Sequence, residues 1–96
     1  PRNEHEQSDR RPAIVLSPKA YNRKTGLCIL CPATRQAKGY AFEVNLVDKK
    51  GQTSVILADH VRSVDWRARQ IQFIQRVPRE VLYEVVGKLG ALISAP

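Results

Sequence analysis

The chain has 96 residues, of which 43% are hydrophobic and 26% charged, a balance that is ordinary for a soluble globular protein. A chain of this length can bury a core without disulfides or metals, and we expect a single domain over residues 1–96. No apolar run approaches the roughly 20 residues that cross a bilayer, so the sequence predicts neither a transmembrane segment nor a membrane partner.

Short apolar runs separated by turn residues predict a mainly β domain with five or six short strands. The run 42–46 alternates most cleanly between apolar and polar residues. In the longer run 54–66 the alternation fails at positions 58 and 59, which predicts a bend or bulge. The basic connection before residue 27 has room for one helical turn. The predicted strands are residues 13–17, 27–33, 42–46, 54–66 and 70–77.

The end of the chain has a different periodicity, which predicts an amphipathic α-helix that begins near Pro78. Gly87 and Gly90 each cost this helix about 1 kcal/mol relative to alanine, so packing must hold it. Strands followed by one helix predict a small, partly open barrel with a C-terminal capping helix. The apolar stripe of the helix consists of Val81, Leu82, Val85, Val86, Leu89, Leu92 and Ile93.

The net charge of +7 is unevenly distributed along the chain. Residues 77–96 contain only two of the 16 basic and two of the nine acidic residues, so residues 1–76 carry the whole excess. Such a basic surface is typical of a protein that binds a polyanion, with solubility alone as the alternative.

Cys28 and Cys31 form a C-x-x-C motif, which can indicate a zinc site or a redox pair. Here they lie on a predicted strand, where residues three apart point to opposite faces. No second pair of Cys or His residues stands at ligand spacing. We therefore expect reduced thiols in the core, no metal or other cofactor, and a reducing, cytoplasmic location.

A charged loop precedes the first predicted strand and contains Glu6 and Arg11. Pro12 restricts Arg11 to extended backbone, so the guanidinium is held where the loop meets the barrel. A carboxylate near a guanidinium is most often a weak surface ion pair. The same two groups also fit a general base and an anion clamp beside a phosphate.

Two further segments contain residues suited to RNA. The first, "TRQAKGY", offers Thr34, hydrogen-bonding and cationic side chains, and Tyr40 as a stacking platform, although a solvated turn fits equally well. The second, "ADHVRSVDWRARQ", contains the single tryptophan among three arginines, and Trp66 fits the core as well as a groove. The candidate RNA-binding residues are Arg35, Gln36, Lys38, His60, Arg62, Trp66 and Arg69.

The order of these segments resembles the MazF/PemK family of toxin endoribonucleases, the mRNA interferases. The resemblance is carried by "EQSDRRPAIVLSPKAYNRKTGLCILCPAT", "QAKGYAFEV" and "LADHVRSVDWRAR", which together span most of the chain. It implies an SH3-like barrel of the MazF/PemK/CcdB type and a homodimer. It also implies cleavage of single-stranded mRNA at short sequences without a metal. The implied partner is an antitoxin that lays an acidic tail over the basic surface.

The resemblance also implies roles for individual residues. Arg11 resembles the catalytic arginine of the family, Glu6 the acid that accompanies it, and Thr34 the threonine at the strand end. Lys38 resembles a lysine used in RNA binding. His60 stands where an amide is common, a difference that could alter the base preference.

One departure from the family pattern concerns the start of the chain. The family normally begins with a strand of the type G-D-[IV]-[VL]-W, directly before the position of Pro1, and this strand is missing from the sequence. Either the chain is trimmed or the strand was genuinely lost, which would open the edge of the barrel and loosen the loop that carries Glu6. Because the rest of the pattern is intact, we favour trimming or disorder of the strand.

These residues permit a cleavage in which the RNA supplies its own nucleophile, because a 2′-hydroxyl can attack the adjacent phosphorus. Glu6 would remove the proton of the 2′-hydroxyl. Arg11 would stabilise the negative charge that grows on the phosphorane, and Thr34 would donate a hydrogen bond to a nonbridging phosphate oxygen. The expected products are a 2′,3′-cyclic phosphate and a 5′-hydroxyl. The alternative is a non-catalytic nucleic-acid binder or a gyrase-poisoning toxin on the same barrel.

Overall fold

The structure, a computed structural model, describes residues 10–48 and 50–96. These residues form a curled antiparallel sheet and two helices, which confirms the predicted mainly β fold with a C-terminal helix. The strands are β1 (Ala13–Val15), β2 (Leu27–Thr34), β3 (Glu43–Val47), β4 (Thr53–Leu57) and β5 (Arg62–Asp65), and the helices are α1 (Lys19–Thr25) and α2 (Arg79–Ser94).

The long strand β2 organises the sheet, because both of its edges are paired. Leu30 pairs with Val15 of β1 on one edge and with Arg62 of β5 on the other. Further along the β5 edge, Ala33 pairs with Ile56 of β4. β4 and β5 therefore follow the same edge of β2, and the predicted bend at 58–59 lies in the turn between them.

The curled sheet packs apolar side chains on both faces. Cys31 belongs to the larger core cluster, and Cys28 belongs to a smaller cluster completed by Leu30 and Val64. The prediction that the two thiols point to opposite faces of one strand is confirmed. Both cysteines are free and buried. The larger cluster contains Ile14, Cys31, Ala33, Val44, Ile56, Ala58 and Val85.

Helix α2 closes the larger cluster through Val85, which is fully buried, with Val81 and Leu82 packed beside it. The predicted apolar stripe is wider than this contact, since Val86 and Ile93 remain exposed. In the described part of the chain, no helix has the length and apolar character that a membrane crossing demands.

The predicted strand at 70–77 is not formed. Gln70 has a φ of 54°, a left-handed conformation that turns the chain away from the direction of β5. The residues that follow are irregular, and Phe73 and Ile74 are exposed. Although the segment alternates weakly between apolar and polar residues, it pairs with no strand of the described sheet. Only Val77, at its end, packs against the core.

Candidate functional site

The end of β2 opens into a depression of about 300 Å³, called here the strand-end depression. β2, the segment that follows it, and the turn after β4 meet there. The depression brings together four of the residues predicted to act on RNA, and these four come from three separate parts of the chain. The lining residues are Thr34, Gln36, Lys38, Tyr40, Glu43, Leu57, Asp59 and His60.

Arg11 lies two residues before β1, and the register of β1 and β2 indicates which residue it faces. Leu16 donates its backbone amide to the carbonyl oxygen of Ile29 at 2.7 Å, and Ala33 donates to that of Pro12 at 3.0 Å. The register is therefore constant from Pro12 to Leu16, and extending it by one residue beyond Pro12 would bring Arg11 opposite Thr34. This is a pair position without backbone hydrogen bonds, where facing side chains come closest. Arg11 is exposed, and it is not among the residues that line the depression itself.

The hydroxyl of Thr34 is already oriented by the chain. Its Oγ1 accepts a hydrogen bond from the backbone amide of Gln36 at 3.2 Å. A hydroxyl that accepts in this way still has its own proton to donate. The half-buried Thr34 can thus present an O–H donor to an anion at the mouth of the depression.

The segment 35–42 forms one wall and has no regular secondary structure. The carboxylate of Glu43 accepts the backbone amides of Lys38 and Gly39, at 2.9 and 3.0 Å. Gly39 has a φ of 80°, which L-residues rarely adopt. From α2, the ammonium of Lys88 donates to the carbonyl oxygens of Ala41 and Glu43, at 2.8 and 2.9 Å. The exposed side chains of this wall therefore project from a tethered backbone.

The opposite wall is the turn between β4 and β5. His60 donates its backbone amide to the carbonyl oxygen of Leu57 at 3.0 Å, and its Nε2 lies 3.8 Å from Oδ1 of Asp59. Burial raises the pKa of the Cys31 thiol beneath this turn, and the carboxylate of Asp59 raises that pKa further. Asp59 and Glu43 are the two carboxylates that line the depression, and the oxygens of Glu43 are already occupied by two backbone amides.

The remaining predicted RNA-binding residues lie elsewhere. Arg35 donates to Gln52 and lines a second depression of about 270 Å³, beside Lys50. Arg62 is exposed opposite Leu30. Asp65, next to Trp66, pairs with Leu27, which is seven residues or about 23 Å along β2 from Thr34. The structure thus does not bring Trp66 or Arg69 to the depression.

The predicted base, Glu6, lies outside the described residues. Among residues 10–48 and 50–96, no three His, Cys, Asp or Glu side chains lie close enough to hold a metal ion.

Comparisons with known proteins assign the chain to a family. Residues 1–93 match the model of the PemK-like, MazF-like toxins of type II toxin–antitoxin systems. This chain belongs to that family. It is 46% identical over 89 residues to the endoribonuclease toxin MazF of Escherichia coli strain K12, covering 93% of this chain and 79% of that protein. It is 32% identical over 95 residues to the Escherichia coli endoribonuclease PemK, covering 94% and 71%.

The solved structures give the same assignment. A MazE–MazF crystal structure from Deinococcus radiodurans (Form-III) superposes with a TM-score of 0.83 at 54% identity, covering 91% of this chain and 88% of that one. The predicted family, barrel fold and class of enzyme, an endoribonuclease toxin, are therefore confirmed. The roles of the individual residues stay predictions.

Sequence reasoning missed Glu43 and Lys88, whose hydrogen bonds hold the backbone of one wall of the strand-end depression. Glu43 stands in an alternating strand, where a polar residue predicts only an outward-facing side chain. Lys88 belongs to a helix whose pattern indicates a structural role. The hydrogen bonds of Lys88 reach residues up to 47 positions earlier in the chain. No local pattern contains such information. The glycine four residues before Glu43 is the single weak signal, since it permits the turn that the carboxylate closes.

Proposed function

We propose that this MazF-family toxin cleaves single-stranded mRNA at short specific sequences without a metal. In this reaction the 2′-hydroxyl attacks the adjacent phosphorus, leaving a 2′,3′-cyclic phosphate and a 5′-hydroxyl. The observation that supports the proposal best is the register of β1 and β2, because its extension by two residues beyond β1 would bring Arg11 opposite Thr34, which lines the strand-end depression. A phosphate between these two residues would face a fixed cation on one side and a hydroxyl donor on the other.

Arg11 would stabilise the negative charge that grows on the phosphorane. Its planar guanidinium presents several donors in a fixed fork that matches the oxygens of a phosphate. Thr34 would donate its hydroxyl proton to a nonbridging oxygen, while Gln36 fixes the other side of that hydroxyl. Donors oriented before the reaction cost no reorganisation when the charge develops.

Glu6 is the proposed general base. It would take the proton of the 2′-hydroxyl as the new bond from that oxygen to phosphorus forms. The bond to the 5′-oxygen then breaks, and this leaving oxygen takes up a proton. A positioned base contributes roughly 10²–10⁴-fold to the rate of such a step. DNA lacks the attacking hydroxyl and would not be cut.

Recognition of the bases would occur in the strand-end depression. Gln36, Lys38 and His60 offer donors and acceptors there, and the exposed ring of Tyr40 is available for stacking. Arg35 would contact the RNA backbone from the second depression. Arg62 and Arg69 would serve as outer contacts for a longer RNA that follows β5. Trp66 would support the end of that strand.

An antitoxin is the proposed protein partner, as in the MazE–MazF structures from Deinococcus radiodurans. An acidic tail would complement the +7 chain and occupy the RNA surface. We also propose a homodimer. Phe73 and Ile74 are 82% and 74% exposed and, with Ile93 of α2, leave apolar area that an interface would cover. Sedimentation at several concentrations would test the dimer.

The activity is tested by incubating the purified protein with one single-stranded RNA and the DNA of the same sequence. We expect discrete RNA fragments with cyclic-phosphate and 5′-hydroxyl ends, intact DNA, and no effect of EDTA. Arg11→Ala should abolish cleavage with the fold retained. Arg79→Ala, which removes an equally exposed arginine at the start of α2, is the matched control. Fragments with 5′-phosphates, or a loss of activity in EDTA, would rule out this mechanism.

A further inference from the structure

We propose that Glu43 and Lys88 are positioning residues, which hold segment 35–42 in the conformation that binds RNA. The inference rests on the proposed function, because it assigns these residues to the same depression. Neither residue is expected to react. Each acts through the backbone from which Gln36, Lys38 and Tyr40 project.

Glu43 holds the middle of the segment. Its two carboxylate oxygens each accept one backbone amide, Oε2 from Lys38 and Oε1 from Gly39. Its own amide donates to the carbonyl oxygen of Tyr40 at 3.1 Å, which closes the turn. Hydrogen bonds to an ionised acceptor are among the stronger ones in proteins. The carboxylate thus replaces the sheet partner that this stretch lacks.

Lys88 holds the end of the segment. Its ammonium donates to Ala41 and Glu43, and it lies 3.6 Å from the Oε2 of Glu84 one helical turn earlier. The two carbonyl oxygens use two of the three donors of the ammonium, and Glu84 is an ion-pair partner rather than a hydrogen-bond acceptor. The ammonium of Lys88 therefore makes its contacts within the protein. Its helix is fixed by the fully buried Val85, so the tether has a rigid base.

The tethers predict how their loss would affect kinetics. Thr34 holds the start of the segment through Gln36, and Arg11 lies two residues before β1, which pairs with β2. Neither depends on Glu43 or Lys88. Loosening the segment should therefore weaken RNA binding and leave the chemical step intact, so that KM rises while kcat is retained.

The test compares Glu43→Gln and Lys88→Met with Glu84→Gln. The glutamine keeps one acceptor oxygen, and the methionine keeps the aliphatic stem. Glu84→Gln is the matched control, because this residue is 53% exposed and touches Lys88 but not the segment. We expect KM to rise about tenfold in the first two variants, with kcat within about twofold of the parent, and the control to keep both values.

A double-mutant cycle with Lys38→Ala separates positioning from general damage. Because Glu43 accepts the Lys38 amide directly, Glu43→Gln should raise KM by a smaller factor once the Lys38 side chain is gone, with the remaining effect acting through Gln36 and Tyr40. Independent, multiplying effects on KM would overturn the inference. If Lys38→Ala alone leaves KM unchanged, the proposed RNA contact fails instead.

Hydrogen exchange gives a second readout that requires no RNA. In the Arg11→Ala background, Glu43→Gln should speed exchange of the Lys38 and Gly39 amides while the amides of β2 keep their protection. Unchanged protection at positions 38 and 39 would overturn the inference even if KM rises.

Discussion

The indole Nε1 of Trp66 donates a hydrogen bond of 2.8 Å to the backbone carbonyl oxygen of Asn22, 44 positions earlier in the chain. The same carbonyl accepts the amide of Gly26 at 3.0 Å, and the side chain of Asn22 contacts Ser17. Asn22 therefore joins the end of β5, the end of α1 and the chain after β1. The guanidinium of Arg67 covers the other side of the indole, 4.9 Å from the ring centroid.

These contacts predict that Trp66 contributes to stability more than to RNA binding. Trp66→Phe keeps most of the apolar contact but loses the donor, so we expect the free energy of unfolding to fall by about 1–2 kcal/mol. KM for RNA should stay within about twofold of the parent. Denaturant unfolding and cleavage kinetics measure the two quantities. Tyr83→Phe, at an exposed position on α2, is the control. A raised KM at unchanged stability would instead assign Trp66 to base stacking.

Substitution by alanine should change the free energy of unfolding in opposite directions at two of the glycines. Gly26 ends α1 with a φ of 74°, where alanine is strained, so Gly26→Ala should destabilise the protein by about 1 kcal/mol. Gly87 is inside α2, and a methyl group there would meet no atom within 4 Å. Gly87→Ala should raise the free energy of unfolding by up to about 1 kcal/mol.

Urea midpoints of the two glycine variants test this pair of predictions. A loss of stability in Gly87→Ala would show that the face of α2 that contains Gly87 is covered by a partner, such as the second subunit of a dimer. In that case the midpoint should depend on protein concentration.

The two thiols predict a fall in stability at alkaline pH. Burial raises the pKa of Cys28, and burial together with Asp59 raises that of Cys31. Above the ordinary thiol pKa of about 8.5, the folded chain then holds more protons than the unfolded chain. Stability therefore declines as the pH rises through this range. Urea unfolding at about pH 7 and pH 9 measures the decline, and the Cys28→Ala, Cys31→Ala double variant should flatten it.

The parts of the fold that were predictable from the sequence are those with a local signature. The alternation around Val44 identified β3, and the spacing around Val85 identified α2. The failure of alternation at positions 58 and 59 located the turn that forms one wall of the site. Glu43 and Lys88 were missed because their partners are backbone atoms, which leave no trace in residue identity. The segment 70–77 was misassigned because weak alternation cannot show whether a sheet edge is available.

The distance between the depression and the end of β5 leads to a final prediction on salt dependence. Lys38 lines the depression, whereas Arg69 lies beyond Trp66, near the other end of β2. The two ends of β2, Thr34 at the depression and Leu27 opposite the end of β5, are about 23 Å apart along the strand, which exceeds the Debye length of about 8 Å at physiological salt. Each phosphate contact to a single strand contributes about 0.7 to the slope of log affinity against log salt. Lys38→Ala should therefore lower the slope for every substrate, and Arg69→Ala should lower it for long RNA alone. KM measured over a salt series with a short and a long RNA tests this, and an effect of Arg69→Ala on the short RNA would place the substrate along β5 from the start.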